Sequence, residues 1–216
     1  MAEKKFAIIL SGSGVYDGAE IHESVMSLYA IQLNNCSYEI FAPNIKQHHV
    51  VNHISGEDMD EERNVLIESA RIARGSIKDL SEYDQANFDI MLLPGGFGVA
   101  KNLSSFAFEG ADCKVLPQVE EAIRSTFNAK KPIGALCISP VILAKVLGDI
   151  EITIGQDLET SNALTQMGAK SSETDHREIV VDMKNKLVTS PCYMLDANLV
   201  DIAEGAKNTV KALLEL

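Results

Sequence analysis

Positive charge is scarce in this 216-residue chain, where 19 lysines and arginines face 31 aspartates and glutamates for a net charge of −12. No basic surface remains to displace counterions from phosphates, which excludes nucleic acid as a partner and disfavours anionic membranes. Long apolar runs are missing as well. The longest, over residues 134–148, is interrupted by Lys145 and is too short to cross a bilayer. Only five residues precede the first apolar run, so no secretory signal is expected. Cys36, Cys113, Cys137 and Cys192 are widely scattered, and no two stand at the two-residue spacing of a zinc ligand pair. Reduced thiols in a cytoplasmic protein, with neither metal nor cofactor, are the expectation.

What is present is an alternation of strand-like and helix-like runs. Phe6-Ala-Ile-Ile-Leu10 is apolar on both faces, as a central parallel strand must be when helices cover both sides. Residues 38–41, 90–93 and 131–136 read as further strands, and 150–154 as a short one. Residues 179–181 and 187–189 flank Asn185 as a hairpin or bulged pair. Helices are expected from near Ala19, with Ile21, Val25, Leu28 and Tyr29 at helical spacing, and over 61–74, 115–128, 141–147, 158–167 and 195–216. Residues 44–88 are the least regular third. Without linker or repeat, residues 1–216 are read as one domain. It is an α/β three-layer sandwich with a doubly wound, mostly parallel sheet.

In such a sheet ligands bind beyond the carboxyl ends of the strands. Three features converge there: the loop before Glu23, the Gly95-Gly96 loop and Cys137. Cys137 ends a strand and precedes Ile138-Ser-Pro140, with Pro140 suited to a helix's first turn. The helix start is expected to favour thiolate over thiol. Gly95 lets backbone approach a ligand, and the N–H groups of Gly96 and Ile138 are candidates for an oxyanion hole. A P-loop is excluded, because no Gly-Lys-Ser/Thr follows the glycines. Glu23 lies in a helix's first turn, where an acidic residue also stabilises the helix dipole. Beside a thiolate, a second negative charge is repulsive, so Glu23 is expected to hold a proton.

The runs Gly12-Ser-Gly-Val-Tyr-Asp-Gly-Ala-Glu-Ile-His-Glu23, Asn52-His-Ile-Ser-Gly-Glu57 and Arg63-Asn-Val-Leu-Ile-Glu68 resemble the ElbB family (enhancing lycopene biosynthesis, glyoxalase-like). So do Leu93-Pro-Gly-Gly-Phe-Gly-Val-Ala-Lys-Asn-Leu103, Cys137-Ile-Ser-Pro140 and Thr189-Ser-Pro-Cys-Tyr-Met-Leu195. That family sits in the PfpI-like branch of the class I glutamine amidotransferase-like superfamily. The resemblance implies a flavodoxin-like sandwich, a nucleophile-elbow cysteine at Cys137, a glutamate at Glu23 and a homodimer. It also implies slow, cofactor-independent conversion of a small dicarbonyl substrate to a hydroxy acid. The chain departs from PfpI-type peptidases in carrying Ile138 where they have histidine, which argues against a Cys-His-acid triad.

Other polar residues compete for roles. His176-Arg-Glu178 imitates the His-x-Glu of amidotransferase triads but stands before a strand, at the wrong end to reach the elbow. His49 and His53 have a one-turn spacing, and with His48 they are read as loop-bracing. Arg63, Arg71 and Arg74 suit local salt bridges. Asn102 is placed to orient a substrate carbonyl or to cap a turn, and His22 is the histidine best placed to visit the pocket. Two rival readings stand beside the enzyme: a redox-responsive protein with an oxidisable Cys137, and an amidotransferase-like accessory subunit.

Overall fold

The computed structural model describes residues 3–216. β1 (Lys5–Ile9) sends alternate side chains to opposite faces of the sheet. Ala7 and Ile9 join one apolar cluster, and Phe6, Ile8 and Leu10 join the other. The same alternation splits β4 (Ile90–Leu93): Met91 and Leu93 go to one face, Ile90 and Leu92 to the other. Full burial of both faces is what the doubly apolar runs require.

The remaining main-sheet strands are β2 (Ser37–Ala42), β3 (Lys78–Asp79), β5 (Ile133–Leu136), β8 (Val180–Asp182) and β9 (Leu187–Ser190). Their order is β3-β2-β1-β4-β5-β9-β8, parallel throughout except for the antiparallel β8–β9 hairpin. β2-β1-β4-β5-β9 has the flavodoxin-like order, with its switch point between β1 and β4. This is the expected doubly wound α/β sandwich. On one face lie α4 (Pro117–Asn128), α5 (Pro140–Leu147) and α6 (Leu158–Gln166). On the other lie α1 (Ile21–Leu33), α2 (Val65–Ile72) and α7 (Leu199–Glu215). The short helix α3 is Phe106–Glu109.

Several expectations need correction. The strand over 150–154 shrinks to β6 (Glu151–Ile152), which leaves the main sheet to pair with β7 (Lys170–Ser171). The helix over 61–74 starts only at Val65, where the Asn64 side chain accepts from the Ile67 N–H and caps it. The acidic run before it stays solvated. The C-terminal helix begins at Leu199, because Asn198 and Asp201 form a capping box.

The largest correction concerns α1. Its apolar residues Ile21, Val25 and Tyr29 are exposed, and Leu33 with them. The buried side is Ser24, Ser27, Ala30 and Ile31. Small residues there let α1 pack closely on α7, which answers with Gly205, Ala206 and Thr209 in its own buried face. The outward apolar stripe follows from that choice.

Candidate active site

β5 delivers Cys137 to the carboxyl edge of the sheet in a left-handed conformation, φ 57°. This backbone is costly for a residue with a Cβ and is the signature of a nucleophile elbow. Two bonds hold it. The Cys137 N–H donates to the Ser190 carbonyl at 2.9 Å, and the Ser139 hydroxyl donates to the Pro94 carbonyl at 2.6 Å. The second ties the elbow to the glycine loop after β4.

Glu23 is wholly buried and reaches the elbow from the first turn of α1. Its Oε2 accepts from the Gly95 N–H at 2.9 Å and its Oε1 from the Tyr193 N–H at 3.2 Å. The Cys137 side chain faces the same carboxyl across Gly95. A Cβ on Gly95 would lie 2.6 Å from Glu23 Oε2 and 3.0 Å from Cys137 Sγ, so only glycine fits beneath this pair. Gly96 has φ 99°, and a Cβ there would strike backbone of the loop before α1. The N–H groups of Gly96 and Ile138 both approach the Cys137 sulfur.

Burial pushes the Glu23 pKa up to about 8, and the neighbouring Glu20 adds to the rise. Glu23 therefore holds its proton at neutral pH. Burial also pushes the Cys137 thiol well above its ordinary range, with Glu23 acting in the same direction. The expected thiolate is thus corrected: loss of solvation outweighs what the Gly96 and Ile138 N–H groups return. Acid and thiol face each other as a neutral pair.

Glu20, Tyr193 and Cys192 complete the surroundings, and the sequence reading assigned none of them to the site. Glu20 caps α1, its Oε2 accepting from the Glu23 N–H at 2.6 Å, where Ser, Thr, Asp or Asn would be usual. Placing the helix start near Ala19 hid that role. His22 does not join the sulfur. Its Nδ1 pairs with the Tyr193 hydroxyl at 2.9 Å at the half-exposed rim.

Asn102 has its side chain taken up by backbone groups. It lies in a single π-helical turn, Val99–Leu103. Its Nδ2 donates to the carbonyls of Ser11 and Asp17, each at 2.9 Å, and its Oδ1 accepts from the His48 N–H at 2.9 Å. Every polar group it has is spent clamping three loops together. His176 is occupied at the surface by Asp175 and the Asp196 carbonyl. It lines a groove of about 770 Å³ formed with Arg177 and Lys211, on the α7 side and away from the elbow. His53 braces a loop, accepting from the Tyr16 N–H at Nε2 and donating from Nδ1 to the Val51 carbonyl. His49 packs edge-on against His48 and Phe108, and His48 lies tilted against Phe108. Arg63 and Arg71 pair with Glu61 and Glu68, as local salt bridges.

This architecture has close relatives. A rat protein named "ES1 protein homolog, mitochondrial" is 46% identical, covering 98% of this chain and 84% of its own length. The human "Glutamine amidotransferase-like class 1 domain-containing protein 3, mitochondrial" is 45% identical, covering 98% and 83%. The crystal structure of an isoprenoid biosynthesis protein with an amidotransferase-like domain from Ehrlichia chaffeensis superposes with a TM-score of 0.91. It is 35% identical and covers 98% of this chain and 99% of its own. The names of the relatives correct the expected cytoplasmic location, because they point to the mitochondrion. Scattered free thiols report a reducing environment and do not say which compartment supplies it. The DJ-1/PfpI family model matches residues 17–194, from the loop before α1 to the turn that holds Glu23, and the chain belongs to the DJ-1/PfpI family.

Proposed function

We propose that the protein is a slow, cofactor-independent glyoxalase-like enzyme of the ElbB type, converting a glyoxal-type dicarbonyl to a hydroxy acid. The observation that carries this reading is the buried Glu23 carboxyl facing the Cys137 side chain across Gly95, with the Gly96 and Ile138 N–H groups around the sulfur. Ionised Glu23 takes the thiol proton as sulfur adds to the aldehyde carbon, giving a hemithioacetal. The developing oxyanion is held by Gly96 and Ile138. Glu23 hands the thiol proton to that oxyanion and is ionised again. It then moves a proton from the former aldehyde carbon to the adjacent carbonyl carbon, while the hydroxyl proton passes to the neighbouring oxygen, leaving a thioester. Water hydrolyses it, so one dicarbonyl and one water become one hydroxy acid.

No triad histidine is placed at the sulfur, which fits slow turnover and argues against peptide hydrolysis. The test is a screen of wild-type and Cys137→Ala protein against glyoxal, methylglyoxal and glutamine. Dicarbonyl loss with wild type alone supports the reading. Equal loss with both proteins, or glutamine hydrolysis by wild type, overturns it.

The homodimer belongs to the same proposal. In a chain of net charge −12, two copies repel except where they meet on an uncharged face. The stripe Ile21, Val25, Tyr29 and Leu33 is such a face, because the carboxylate of α1, Glu23, is buried.

A further inference from the structure

Cys192 takes no part in the proposed dicarbonyl chemistry, yet its backbone is held like that of the nucleophile. It follows β9 in a left-handed conformation, φ 43°, and is 5% exposed. Left-handed backbone is strained at a non-glycine residue, and such strain clusters at functional sites. Here it occurs at both cysteines. The strand register sets Leu136 beside Ser190, and the Cys137 N–H donates to the Ser190 carbonyl at 2.9 Å. Cys192 follows that bond by two residues on the adjacent strand's exit. Neighbouring strands lie about 4.8 Å apart, and a disulfide needs Cα atoms roughly 4.4–6.8 Å apart.

The two side chains also share a face, since both belong to the apolar cluster beneath α1 and α7. α7 presents Gly205 to Cys192: a Cβ there would lie 3.5 Å from the sulfur. Glu23 spans the pair. One oxygen bonds the Gly95 N–H beside Cys137, and the other bonds the N–H of Tyr193, the residue after Cys192.

We propose that Cys137 and Cys192 form an oxidisable thiol pair, in which a small peroxide oxidises Cys137 and Cys192 resolves it as an intramolecular disulfide. The Cys137 sulfur attacks one oxygen of hydrogen peroxide and the O–O bond breaks. Glu23 accepts the thiol proton and passes a proton to the departing hydroxide, which leaves as water. The Cys192 sulfur then attacks the sulfenic sulfur of Cys137. The S–O bond breaks, the S–S bond forms, and the hydroxyl leaves as a second water with the Cys192 proton. Two thiols lose two electrons and one peroxide gains them. Cys192 shares this face of the sheet with Cys137 at the exit of the adjacent strand, and so is the thiol set to resolve the sulfenic acid.

The test uses the full chain with hydrogen peroxide and no dicarbonyl, so it stands or falls apart from the glyoxalase reading. After alkylation of remaining thiols, the intact mass and a non-reducing peptide map are recorded. The expected result is loss of two hydrogens, with the Cys137 and Cys192 peptides joined and both thiols recovered on reduction. In Cys192→Ser, Cys137 should gain two or three oxygens instead. In Cys137→Ser, Cys192 should stay a free thiol under the same peroxide. Wild-type protein that gains oxygens at Cys137 while Cys192 is fully alkylated overturns the proposal. A bridge to Cys36 or Cys113, or four unmodified thiols, overturns it equally.

Discussion

Glu23 and Cys137 meet over Gly95 in a closed site, and burial lets the carboxyl keep its proton up to a pKa of about 8. Chemistry at the sulfur therefore waits on Glu23 losing that proton. Turnover of methylglyoxal should climb with pH through about 8. Glu23→Gln should lower turnover by about a hundredfold or more and erase the climb, because an amide accepts no proton. Steady-state rates against pH check both statements.

The same proton sets a stability trend. Folded Glu23 releases it near 8, whereas an ordinary carboxyl releases it near 4.5. Between those values the folded chain binds more protons than the unfolded one, so stability falls as pH rises. The contribution is fully present below 4.5 and is gone above about 8. Urea unfolding across this window should show the decline in wild type and a flatter profile in Glu23→Gln.

Gly95→Ala tests how tightly the pair is seated. The new Cβ meets Glu23 Oε2 and Cys137 Sγ, whose positions are fixed by backbone bonds. A loss of about 1–3 kcal/mol is expected from overpacking, with loss of turnover. Thermal melting and the methylglyoxal assay read the two effects.

Asn102→Ala separates a clamp from a substrate ligand. Removing the side chain leaves two carbonyls and one N–H without partners, a cost of about 1–3 kcal/mol. Proteolysis within residues 11–18 should quicken alongside. A raised KM with unchanged melting would mean that Asn102 binds substrate.

Val25→Glu puts a carboxylate into the outward stripe Ile21, Val25, Tyr29 and Leu33 of α1. Sedimentation should show a dimer for wild type and a monomer for the variant, with melting of the monomer fold little altered. A variant that remains dimeric places the interface elsewhere.

The sheet was legible because β1 and β4 are apolar at every position, which only two-sided burial explains. The elbow was legible because Cys137 ends such a strand and Pro140 opens the next helix. α1 misled, since its apolar residues face outward while serines and alanine pack on α7. Glu20 was hidden by its residue type, glutamate being a rare helix cap. Tyr193 and Cys192 lie far along the chain from Glu23; the β5–β9 pairing brings their turn to Cys137, where Glu23 reaches it from α1. The Cys137 proton was misjudged because helix-start charge is readable in sequence, whereas desolvation depends on what covers the sulfur.

The most direct test of the Glu23–Cys137 mechanism is methylglyoxal turnover in heavy water, with the hydroxy acid product read by NMR. If Glu23 carries a proton between the two carbons, deuterium enters at the carbon that was the ketone to the extent that the carboxyl exchanges during the transfer, and Glu23→Gln forms almost no product. Product formed equally fast by Glu23→Gln would contradict proton transfer by Glu23.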